Sequence, residues 1–137
     1  TAVTDNTNGT YTATLTSTSV GSATISGSIA GNAITDTEVV SVTAGGASLT
    51  TSQVTVADAS IVAGTNTTVT VQLRDAGNNP LTASAGTVEI AVSGVGSVGT
   101  VTDNTNGTYT ATFTSNVTGS VTITATLNSQ AITDDAS

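Results

Sequence analysis

The sequence predicts an all-β fold, and three observations carry that prediction. Apolar residues alternate with polar ones along several short stretches, the spacing of a strand with one buried face. Thr and Val, both β-branched, dominate those stretches. Gly, Asn and Asp cluster between them, where a turn needs positive φ or a side chain that bonds nearby backbone. No stretch shows apolar residues at helical spacing over a helix-sized length.

The first element is VTDNTNGTYTAT at Val3–Thr14, and it returns at Val101–Thr112. Asp5 matches Asp103, an offset of 103 − 5 = 98 residues. The match extends from Val3–Asp36 onto Val101–Asp134: Gly21-Ser22 returns as Gly119-Ser120, Thr24-Ile25 as Thr122-Ile123, and AITD recurs. A period near one hundred residues suits a whole β-sandwich domain and is far above that of solenoid repeats. The sequence therefore divides into residues 1–43, read as the C-terminal half of one repeat, and residues 44–137, read as a complete repeat. The small, polar stretch Thr43–Ser48 is the expected seam. Two C-terminal halves and one N-terminal half cannot complete one another by strand exchange, so the expectation is a window of a longer array.

Within the complete repeat the elements follow in order. Gln53–Asp58 opens it, with Val54 and Val56 inward. Thr67–Asp75 turns Val69, Val71 and Leu73 inward and Thr68, Thr70, Gln72 and Arg74 outward. Gly86–Ser93 places Val88, Ile90 and Val92 inside and Glu89 outside. Thr108–Ser115 buries Tyr109, Ala111 and Phe113, and Ser120–Leu127 buries Val121, Ile123, Ala125 and Leu127. A turn at Asn128-Ser129 starts a return strand at Ala131-Ile132. Ala63–Asn66, Asp75–Pro80, Gly94–Gly99 and Asp103–Gly107 read as turns. Short strands joined by such turns predict an immunoglobulin-like Greek-key β-sandwich. Tyr11, Tyr109 and Phe113 are the only aromatics, all at core positions or their repeat equivalents, so Val, Ile, Leu and Ala must fill the interior.

Composition excludes much chemistry. The chain has no Cys and no His, which removes disulfides, thiol and imidazole catalysis, and the ligands of structural zinc sites. Its net charge is −8 with Arg74 the only basic residue, so nucleic acid and anionic membrane surfaces are poor partners. No apolar run approaches the length of a membrane span, so direct membrane insertion is not expected. No carboxylate pair or Ser–base pair has the partners a hydrolase needs, and the protein is read as a non-enzyme without a cofactor.

Two stretches invite a metal reading. DNTNG looks like a calcium loop, but counting from Asp103 the EF-hand spacing fails: Gly stands at position 5 and Thr114 at position 12. Asn106-Gly107 is instead a hairpin signal, with Asp103 placed to accept backbone amides. Asp58, Asp134 and Asp135 are the better candidates, as an inter-domain calcium site at the end of the repeat. Arg74 reads as half of a surface ion pair.

The strand ending Leu73-Arg74-Asp75, the loop Gly77-Asn78-Asn79-Pro80-Leu81, the block Asp103–Tyr109, Gly119 and the Ala131-Ile132 ending together resemble a bacterial Ig-like repeat of the Big-1, invasin/intimin type. The resemblance covers the complete repeat and the leading half. It implies a structural spacer, or stalk, of a bacterial cell-surface adhesin, extracellular and stacked end to end on neighbouring Ig-like repeats of the same protein. Sparse charge and the absence of Lys leave sheet edges poorly guarded. That motivates the alternative: a subunit of an extracellular filament or matrix, self-associating through β-strand and lateral contacts. A ligand-binding module would need an exposed aromatic platform, and with three aromatics at core-type positions none is expected.

Overall fold

The computed structural model describes residues 2–133, and among them there is no helix. The chain divides into two compact units, Thr1–Thr43 and Ala44–Ser137.

In the first unit, strand β1 (Thr4–Asp5) pairs with β2 (Tyr11–Thr12), β3 (Gly21–Ile25) with β6 (Glu38–Val42), and β4 (Ser28–Ile29) with β5 (Asn32–Ala33), all antiparallel. Ala30 and Gly31, both at positive φ, close the β4–β5 hairpin. Positive φ at both central residues matches the right-handed strand twist. This unit has no buried side chain among the described residues. Tyr11, expected in a core, is 65% exposed.

The second unit is a two-sheet sandwich. Its strands are β7 (Gln53–Val56), β8 (Asn66–Gln72), β9 (Val88–Gly94), β10 (Ser97–Val98), β11 (Thr102–Asp103), β12 (Thr108–Thr114), β13 (Val121–Leu127) and β14 (Gln130–Ala131). One sheet runs β10-β12-β8-β7, with β11 also on the edge of β12; the other runs β14-β13-β9. Tyr109 stands opposite Val71 across β12 and β8, and Ile123 opposite Val92 across β13 and β9. The chain crosses between sheets from β8 to β9, from β9 to β10 and from β12 to β13, while β7-β8, β11-β12 and β13-β14 pair as sequence neighbours, and the sandwich is immunoglobulin-like.

Alternation fills the space between the sheets. Val54, Val69, Val71, Leu73, Tyr109, Ala111 and Phe113 from one side meet Val88, Ile90, Ile123, Ala125 and Leu127 from the other. Val69, Val71 and Leu73 are fully enclosed. Each such side chain contributes about 1.5–3 kcal/mol relative to its exposed state. Val92 and Val121, expected inside, are only half-buried at the margin of this core.

Gly94–Gly99 is more than the expected turn, because Ser97 and Val98 pair with Thr114 and Phe113. Gly94 and Gly96, both at positive φ, turn the chain tightly enough to bring Ser97 back to the sheet edge.

Candidate functional site

The DNTNG turn is built from its own side chains, in the same way in both copies. Thr105 N–H donates to Asp103 Oδ1 at 2.8 Å, and Thr7 N–H to Asp5 Oδ1 at 2.8 Å. Asn106 Oδ1 accepts the Thr108 amide at 3.0 Å and its hydroxyl at 2.6 Å; Asn8 accepts the same groups of Thr10 at 3.1 and 2.7 Å. Asn104 N–H closes the loop on Thr108 O, as Asn6 does on Thr10 O. Positive φ falls on Thr105 and Gly107, not on the Asn106-Gly107 pair. The hairpin is thus a four-residue loop between Asp103 and Thr108 rather than a two-residue turn. Its carboxylate and amide oxygens are engaged with backbone, which fits turn chemistry.

A second carboxylate organises the start of the second unit. Asp75 is buried in its loop and accepts hydrogen bonds from the amides of Gly45 (2.9 Å), Gly77 (2.9 Å) and Asn79 (2.9 Å), and from Asn79 Nδ2 (3.0 Å). Thr51 Oγ1 donates to its backbone carbonyl at 2.7 Å. The Gly45 amide, then the side chain and amide of Asn79 and the amide of Gly77, hold the carboxyl at about 2 against the opposite pull of burial. Gly45 and Ala47, expected within a seam, are therefore fastened to this loop, Ala47 through a backbone bridge to Asp75. Sequence reading missed this role. The visible signal was an Asp four residues before Asn79-Pro80.

Among the described residues Arg74 does not make the expected ion pair. Its Nε donates to Gln53 Oε1 at 3.1 Å and its Nη1 to Asn78 O at 3.0 Å. Asp75 lies beside it in sequence but turns its carboxylate into the loop amides, so Arg74 serves as a neutral-partner clamp between β7 and the loop.

Asp58 follows β7, with its amide donating to Thr67 Oγ1 at 2.9 Å. It lines a cavity of about 250 Å³ with Val56, Ile61, Phe113, Val121 and Ile123. Asp134 and Asp135 lie outside the described residues. Among the described residues no three His, Cys, Asp or Glu side chains come together as a metal site. Tyr109 is a core residue rather than a binding platform: its hydroxyl donates to Gly86 O at 2.9 Å and accepts the Ala85 amide at 3.2 Å.

Solved structures give likenesses across both units. The Escherichia coli adhesin FdeC is 30% identical, with 99% of this chain and 45% of that chain covered and a TM-score of 0.62. Invasin, described as a bacterial integrin-binding protein, is 29% identical over 96% of this chain and 28% of its own, with a TM-score of 0.60. InvD of Yersinia pseudotuberculosis is 29% identical over 96% of this chain and 40% of its own, with a TM-score of 0.58. The chain thus spans less than half the length of each. Compared with curated proteins by sequence, it matches none. The family model for invasin domain 3 matches residues 48–137. With this match, the two-sheet sandwich of residues 44–133 and the likeness to bacterial adhesins, the chain belongs to the invasin domain 3 family.

Proposed function

We propose that the chain is a structural spacer of a bacterial cell-surface adhesin, a non-enzymatic Ig-like repeat that extends the protein from the envelope. The observation that carries the reading is the repeated block: 98 residues apart, in a domain of an adhesin family, the chain builds the same turn with the same hydrogen bonds. A spacer needs a module that can be repeated in series, and a turn made from its own side chains can be repeated without a partner. The likeness to FdeC, an adhesin, and to invasin supports a place at the cell surface. Neighbouring repeats of the same protein are then the partners.

Small-angle scattering on arrays of two, four and six copies of the 98-residue period tests this. A spacer gives a radius of gyration that rises in proportion to copy number. Growth at roughly the 0.38 power of length, the scaling of a compact globule, contradicts it. The filament alternative is separated by light scattering on the same arrays, because it requires association that rises with concentration. The proposal extends to calcium at Asp58 with Asp134 and Asp135. A melting midpoint raised by calcium and restored by chelator supports that site, and equal midpoints remove it.

A further inference from the structure

The cavity beside Asp58 has a chemistry of its own. Strand β8 runs from Asn66 to Gln72, so Thr67 and the Asp75 loop lie at opposite ends of the second unit, and the cavity is at the Thr67 end. Val56 closes β7 there, Phe113 nears the end of β12 and Val121 opens β13, so both sheets contribute walls. The floor is apolar: Phe113 and Ile123 are 4% and 5% exposed, with Val56, Ile61 and Val121 half-buried around them. The enclosed volume of about 250 Å³ lies at the small end of the range for ligand pockets.

The walls are held in place. Gly64 N–H donates to Ser115 O at 2.8 Å, tying the loop after β7 to the end of β12. Ser115 is buried, and its Oγ donates to Val117 O at 2.7 Å and accepts the Val117 amide at 3.2 Å. That pair of bonds fixes the loop carrying Val117, which lines the cavity while 63% exposed. Asp58 is the single charged residue of the lining. Its amide is pinned on Thr67 Oγ1 at 2.9 Å, and among the described residues no donor reaches its carboxylate.

We propose that this cavity binds a small organic ammonium ion, with an aromatic or branched aliphatic group against Phe113 and Ile123 and the ammonium on Asp58. An apolar floor with one polar group at its rim is the arrangement that encloses a small ligand and fixes its orientation. The sign of the ligand follows from charge. The chain has no Lys, and its one Arg, Arg74, is bound to Gln53 and Asn78 at the other end of the sandwich. A second copy therefore offers no side-chain cation for Asp58, and the partner charge comes from another molecule. A net charge of −8 draws cations towards the chain and repels anions of the same shape. The volume suits a free small molecule rather than a folded segment. Because Asp58 is exposed, apolar enclosure supplies most of the affinity and the carboxylate supplies the preference for a cation. The site is independent of whether the protein serves as a spacer.

The test titrates the isotopically labelled 137-residue chain with phenethylammonium and, separately, with its neutral counterpart 2-phenylethanol. Chelator keeps calcium off Asp58 throughout. The expected result is saturable shifts of the Asp58, Phe113, Thr118 and Ile123 amides, with the alcohol binding about 2–5-fold more weakly than the ammonium. Asp58→Asn, at an exposed site, removes that preference and leaves the affinity for the alcohol unchanged. Ile61→Trp fills the cavity and removes binding of both. Absence of saturable shifts with either ligand overturns the proposal. So does an alcohol that binds as tightly as the ammonium, or a preference that survives Asp58→Asn.

Discussion

Tyr11 and Tyr109 hold the same place in the repeated block, each the first residue after an identical NGT turn, yet one is 65% exposed and the other 2%. Tyr109 reaches Gly86 O and the Ala85 amide with its hydroxyl, both contributed by the segment ahead of β9. Tyr109→Phe leaves that carbonyl and amide without their partner and costs about 1–3 kcal/mol in urea unfolding. Tyr11→Phe, at an exposed site, stays within about 0.5 kcal/mol.

Gly107 gives the same contrast in the backbone. It sits at φ 82° against the carbonyl of Leu81, and its own carbonyl accepts the Leu73 amide at 2.9 Å. Gly107→Ala adds a methyl group that meets that carbonyl as well as the cost of left-handed backbone, and should lower stability by more than about 2 kcal/mol. Gly9 has a similar φ of 87° with open space around it. Gly9→Ala therefore leaves the melting midpoint of the second unit unchanged, which a thermal scan of both variants checks.

The Asp75 loop sets an acid limit. A carboxyl held at about 2 against an ordinary value of 3.8 favours the folded state through its ionised form. That stability is complete above about pH 4 and is lost as pH falls towards 2. The melting temperature should decline across that window. Asp75→Asn should show a lower midpoint at neutral pH and a flatter profile below pH 4.

Thr126 Oγ1 is buried without a hydrogen-bond partner. Thr126→Val keeps the shape and removes the unpaired hydroxyl, so it should stabilise by about 1 kcal/mol. For a domain of this size that raises the melting temperature by about 4–8 °C.

The parts of the fold legible in the sequence are those set by short-range rules. Period-two alternation placed Val69, Val71 and Leu73, and likewise Tyr109, Ala111 and Phe113, on buried faces. The DNTNG turn was readable because Asp103 and Asn106 bond amides two residues away. Arg74 and Asp75 were not readable in this way. Asp75 takes an amide from Gly45, thirty residues earlier, and Arg74 reaches Gln53, twenty-one residues away, and no local pattern encodes either distance. Burial of Tyr11 was misjudged for the same reason: alternation names the face that can be buried, and only the opposing strands decide whether it is.

That distinction is tested most directly by hydrogen–deuterium exchange on the 137-residue chain, read at the two copies of one block. The expected result is strong protection at Tyr109–Phe113 and Val121–Leu127 and weak protection at Tyr11–Leu15 and Ala23–Ile29. Equal protection of the two copies would contradict a covered second unit and an exposed first one.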